Sequence, residues 1–221
     1  MERKKPLDAA GLRMAALFCM LLDHLWYTVL PGAGWMHGLG RLAFPIFAFQ
    51  AAEGYARTGN FRRYLLRLGV LGLASEIPFN LMASGTVLDP ARQNVIWTLL
   101  LGVLALRAAE QGRGWALAAA GLAAAALAAL AGELLHTDYG AVGVLTVCCF
   151  GLLRDSRSGQ LAAMLALHGV LFWGSVQALA VLALVPIWLY NGRPGSRWVR
   201  TVSYWFYPLH MLALWALKLT L

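Results

Sequence analysis

Apolar stretches of about 20 residues, the length a helix needs to cross a bilayer core, follow one another along nearly the whole chain with short polar connections between them. A length of 221 residues would ordinarily suggest one or two soluble domains. Composition overrules that reading, because 60% of the residues are hydrophobic, only 13% are charged and the mean hydropathy is +0.65. The prediction is an all-α, polytopic membrane helical bundle forming a single transmembrane domain over residues 1–221. Its spans fall near 12–30, 39–57, 64–84, 95–110, 114–133, 140–153, 159–173, 176–191 and 201–220, about nine in all. Gly174 and Ser175 must turn a tight hairpin between the seventh and eighth. The basic start before the first span is followed by an apolar run too long for a signal peptide, without a small-residue cleavage site, so a retained helix is expected.

Basic residues alternate between successive connections. Arg3, Lys4, Lys5 and Arg13, then Arg57, Arg62, Arg63 and Arg67, then Arg107 and Arg113, Arg154 and Arg157, and Arg193, Arg197 and Arg200 fall on one side. The opposite connections carry Asp89 with Arg92, and Glu133, His136 and Asp138. Positive-inside asymmetry makes the first side cytoplasmic, together with the N-terminus. It also accounts for the net charge of +8, so nucleic acid is not an expected partner.

Asp23, His24, Arg41, Glu53, Glu76 and His210 sit inside the apolar spans. Each ionisable residue at bilayer depth costs about 2.5–3.5 kcal/mol on insertion scales, so a group of them implies a polar site enclosed by helices. Helix geometry sets their depth. His24 lies eleven residues beyond Arg13, about 16 Å along the axis and on nearly the same face, while Glu76 and His210 lie about 14–15 Å inward of Arg67 and Arg200. These three are expected at one level, approached from outside by Arg41, Asn80, Gln93, Asn94, His136 and Asp138.

Simpler roles compete for several residues. Glu53 precedes Arg57 by one turn and pairs with it or serves the site. Asp23 points about 100° away from His24 on a helix and is free to pair with Arg41 instead. His168 is expected to be a satisfied core residue and His37 an interfacial one. Cys19, Cys148 and Cys149 lack ligand spacing and are read as small buried residues, with no disulfide and no metal site expected. The alanine-rich run at 120–132 suits close helix packing and offers a self-association face. Pro45, Pro78 and Pro208 are each expected to free a helix carbonyl around a cavity.

Asp23-His24, GRLAFPIFAFQAAEGYARTGN (40–60), SEIPFNL (75–81), QNVIWTL (93–99), DYGAVGVL (138–145) and FYPLH (206–210) together resemble the TraX family of integral membrane proteins, from the first helix to the last. Arg13 followed after ten residues by His24 also resembles the first-helix arrangement of acyltransferase-3 type membrane enzymes, a looser likeness. The resemblance implies a bacterial inner-membrane acetyltransferase that moves an acetyl group from cytoplasmic acetyl-CoA to a pilin-like peptide N-terminus outside. A cell-surface glycan hydroxyl is the alternative acceptor. A proton-coupled transporter or a non-enzymatic assembly protein are the readings from other classes.

Carried onto this chain, the resemblance makes His24 the general base or a transient acyl carrier. Glu76 would orient the imidazole or the acceptor, and Asp23 would support the site. Arg41, Asn80 and Asn94 would stabilise the oxyanion. Arg13, Arg57, Arg62 and Arg63 are the candidate partners of the acetyl-CoA phosphates. Glu53, His136, Tyr139, Tyr207 and His210 would complete the acceptor pocket.

Overall fold

The computed structural model describes residues 5–110 and 115–221; Arg3, Lys4 and Arg113 of the basic connections lie outside the described residues. Among the described residues the chain is helical without strands, its only β-type pairings being the isolated bridges Leu7 with Tyr190 and Gln93 with Thr137. In order, the helices are α1 (Ala9–Thr28), α2 (Gly34–Gly40), α3 (Ala43–Arg57), α4 (Phe61–Ser84), α5 (Val95–Glu110), α6 (Trp115–Leu134), α7 (Gly140–Leu152), α8 (Arg157–Met164), α9 (Leu184–Trp188) and α10 (Arg197–Lys218). A π-helical segment, Leu165–Val170, continues α8, and a 3-10 segment, Val176–Ala183, leads into α9.

By length and composition α1 and α4 are the helices able to cross a membrane, among the described residues. Their outer faces suit lipid. On α4, Leu66, Val70, Leu73 and Ile77 recur at helical spacing and are all exposed, an apolar stripe that water would penalise and acyl chains would not.

The chain divides into two compact units, one running through Gln50 and resuming at Leu161–Leu221, the other Ala51–Gln160. In the first, α1 packs against α2 and α10, and the 3-10 segment packs against α2 and the π-helical segment. Asp8 starts α1 by accepting the amide of Gly11 at 2.7 Å, satisfying one of the donors that every helix N-terminus leaves open. Gly40 is needed where α2 meets α1, because a Cβ there would run into the side chain of Asp23.

In the second unit α5 packs against α4, α6 and α7. Asn60 caps α4 through Arg63 N at 2.9 Å, and Gly85 ends it in the left-handed conformation at φ 74°. The α5–α7 approach depends on Gly102, whose Cβ would stand 2.6 Å from that of Val147, and on Gly151 facing Leu106. Gly102→Val is therefore expected to destabilise by about 1–3 kcal/mol through overpacking, read as a lower melting temperature of detergent-solubilised protein.

The helices follow the expected spans with three departures. The span expected at 39–57 becomes helix only at Ala43 (α3), and a short additional helix, α2, occupies most of the connection expected before it. The span at 159–173 starts as α-helix and widens to π-helix, and that at 176–191 starts as 3-10 helix. Gly174, at φ 77°, and Ser175 make the turn between them. Pro78 and Pro208 lie inside α4 and α10, but Pro45 is the third residue of α3, where a missing N–H leaves no carbonyl unpaired.

Candidate functional site

Helices α1 and α10 bring two histidines 186 residues apart into direct contact. His24 Nδ1 lies 2.7 Å from His210 Nε2, with the two rings only 3° from parallel. His210 Nδ1 lies 2.8 Å from the carbonyl of Phe206, one turn earlier on α10. A carbonyl can only accept, so His210 Nδ1 carries the hydrogen and its Nε2 holds a lone pair; His24 must then donate through Nδ1. That sequence of donors leaves the lone pair of His24 on Nε2, the atom a general base uses. Phe206 stacks on His210 at 4.9 Å, and the buried ring of Tyr207 lies 6.0 Å away, so the relay partner is held by aromatic contacts. Thr28 Oγ1 donates to the carbonyl of His24 at 2.6 Å, tying down the last turn of α1.

A second network lies beside the first. Asp23 accepts from Arg41 through Oδ2 and from His37 Nδ1 through Oδ1 at 2.8 Å. Arg41 also donates to Gln177 Oε1 at 3.2 Å, and Gln177 Nε2 donates to Nδ1 of His168, which is fully buried in the π-helical segment. The guanidinium of Arg41 is within electrostatic reach of His24. His37 is half-buried against Asp23 and stacked on Trp26, with ring centroids 3.8 Å apart.

Toward the start of α1, Arg13 Nε donates to Gln50 Oε1 at 3.3 Å, and Gln50 Nε2 reaches the carbonyl of Ala9 at 2.9 Å. Arg57 pairs with Glu53 at 2.6 Å, the one-turn ion pair foreseen, while Arg62 and Arg63 are exposed in the first turn of α4.

Glu76 belongs to the second unit, where its Oε2 accepts from Asn94 Nδ2 and from Trp97 Nε1, the latter at 2.8 Å. The ring of His24 is oriented by His210. Asn94 also donates to the carbonyl of Gly72 at 2.9 Å, and its Oδ1 accepts the amide of Ile96, so the side chain both caps α5 and joins it to α4. Asn80 Nδ2 donates to the carbonyl of Val87 at 3.2 Å. The amide donors of both asparagines are therefore engaged in local structure. His136, at φ 52°, accepts the amide of Gln93 through its backbone and lines a groove of about 430 Å³ with Gln93, Trp97 and Leu135. Tyr139 is half-buried at the start of α7.

Sequence reasoning overlooked Gln50 and Gln177. An amide inside an apolar span carries the same burial argument as a charge, and that signal was present in both. No local signal marks His37 as a partner of Asp23.

A family model described as TraX protein matches residues 9–218. The chain is 28% identical, over the full length of both, to the probable fimbrial assembly protein FimC, serogroup H1, of Dichelobacter nodosus. It is also 28% identical to Protein TraX of Escherichia coli, across 94% of this chain and 86% of that one, and 27% identical to Protein TraX of strain K12 with the same coverage. No solved structure matches it.

Proposed function

The chain belongs to the TraX family, and from that premise we propose that it is a multi-pass inner-membrane acetyltransferase, with about nine spans and a cytoplasmic N-terminus, that transfers acetyl from acetyl-CoA to a pilin-like peptide amine. The names of its relatives, a fimbrial assembly protein and TraX, support a role in pilus biogenesis. The observation that supports the chemistry most is the relay from the Phe206 carbonyl through His210 to His24, which presents an imidazole lone pair within an apolar bundle.

Arg13 and His24 share α1, with Arg13 one bilayer leaflet closer to the cytoplasm by helix rise. This suits a donor whose phosphates stay at a basic mouth while its thioester reaches inward. In the reaction His24 Nε2 removes a proton from the acceptor nitrogen as the carbon–nitrogen bond forms, and returns it to the departing thiolate. His210 holds the ring in the competent tautomer, as the third member of a catalytic triad does. The charge of Arg41 favours the oxyanion that forms meanwhile. Tyr207, beside His210 on α10, is a proposed acceptor contact.

Labelled acetyl-CoA supplied to detergent-purified protein, with peptide amines and glycan hydroxyls as acceptors, tests this reading. Acetylated peptide is the expected product. Acetylated glycan would reassign the acceptor, and absence of acetyl-CoA consumption would overturn the enzyme assignment.

A proton-coupled carrier is the second reading, favoured by the carboxylate of Glu76 held between α4 and α5 by Asn94 and Trp97. Pump-like uptake into proteoliposomes without acetyl-CoA would support it.

A further inference from the structure

Cations stand at the wrong end of α4. The amides of a helix N-terminus carry positive potential, so acidic residues are favoured in the first turn and basic ones disfavoured. Helix α4 has no acidic residue in its first turn and instead places Arg62 and Arg63 there, with Arg67 one turn on. All three are exposed, and among the described residues no carboxylate pairs with any of them. Glu53 and Glu110, on α3 and α5, are already taken by Arg57 and Arg154, both at 2.6 Å. Arg107 of α5 adds a further cation, over the Phe61 ring at 5.4 Å.

These charges continue the exposed apolar face of α4. At about 100° per residue, Arg63, Leu66, Arg67, Val70, Leu73 and Ile77 fall within one arc about 120° wide, and all six are exposed. The rise from Leu66 to Ile77 is about 16 Å, which matches one leaflet of a hydrocarbon core about 30 Å thick. Arg63 lies about 4–5 Å beyond that stretch, at the depth of lipid phosphates. Helical side chains lean toward the N-terminus, so Arg67 projects to the same level. Its guanidinium is held over the Tyr64 ring, 5.9 Å from the ring centre.

We propose that the N-terminal end of this face is a binding site for an anionic glycerophospholipid of the cytoplasmic leaflet. Arg63 and Arg67 hold the phosphodiester between them, their guanidinium forks matching its oxygens, and Arg62 and Arg107 strengthen the field. An acyl chain lies along Leu66, Val70, Leu73 and Ile77. A soluble phosphate compound such as acetyl-CoA would leave that apolar stretch unused, and a lipid with a neutral headgroup would leave the arginines uncompensated. The bound anion also supplies the negative charge that the first turn of α4 lacks. The inference rests on the membrane topology proposed above and is independent of acetyl transfer.

Native mass spectrometry of the full chain in detergent, titrated with phosphatidylglycerol, tests the site. Wild type is expected to retain phosphatidylglycerol in preference to phosphatidylcholine with the same acyl chains. Neither coenzyme A nor glycerophosphoglycerol, the headgroup without its chains, should displace it. Arg63→Gln combined with Arg67→Gln is expected to weaken phosphatidylglycerol binding about 30-fold, each arginine near an anionic headgroup being worth about fivefold. Arg193→Gln combined with Arg197→Gln removes the same charge from another basic connection and should change binding by less than about threefold. All four arginines are exposed, and melting temperatures without lipid check that both double variants are folded. Equal weakening by the two would reduce the effect to net charge and overturn the site. Equal retention of both lipids by wild type would also overturn it, and that comparison needs no variant. Displacement by coenzyme A would return the arginines to the acyl donor and overturn the lipid assignment. Preferential phosphatidylglycerol binding by a protein that consumes no acetyl-CoA supports the site while the acetyltransferase reading falls.

Discussion

His24→Ala is expected to lower acetyl transfer by about 10²–10⁴-fold while the protein remains folded. The imidazole is the only group of its network with a lone pair directed away from the chain of donors that begins at the Phe206 carbonyl. Its removal deletes proton transfer and leaves donor and acceptor contacts in place. His210→Ala should cost less, because it frees the tautomer of His24 without removing the base. His210→Gln, whose carbonyl accepts from His24 Nδ1, should recover part of that loss. Initial rates with labelled acetyl-CoA, on variants matched for melting temperature, read both effects. A His24→Ala protein with wild-type turnover would place the chemistry elsewhere.

Asp23→Ala is expected to be the most destabilising single substitution in the first unit, by about 3–5 kcal/mol. Asp23 accepts from both Arg41 and His37, and the Asp23 and Arg41 side chains are each only 16% exposed. Alanine would leave a guanidinium buried with its charge uncompensated, a larger cost than the pair itself is worth. The glycine at position 40, which lets α2 approach Asp23, would then face a void. A double variant, Asp23→Ala with Arg41→Leu, should regain much of the loss, since an apolar pair of similar volume needs no compensation. Thermal and denaturant unfolding in detergent measure this. Additive losses in the double variant would show that the two side chains act independently.

Hydropathy and helical spacing are local properties, and they determined what local properties can determine: an all-helical chain, the approximate helix positions, the turn at Gly174 and Ser175, and the Glu53–Arg57 pair one turn apart. The burial cost of charge also singled out Asp23, His24, Arg41 and His210 before any contact was known. The Asp23–Arg41 pair was legible because a short connection joins their helices. The pairing of His24 with His210 was not, since 186 residues separate them and a shared depth does not specify a shared face. Nor could the sequence place His37, which sits on α2, a short helix within the connection expected between the first two spans. Which nitrogen carries each proton was decided last and only by tertiary structure: a histidine tautomer follows from what its other nitrogen touches, and here that is a residue on another helix or a backbone carbonyl.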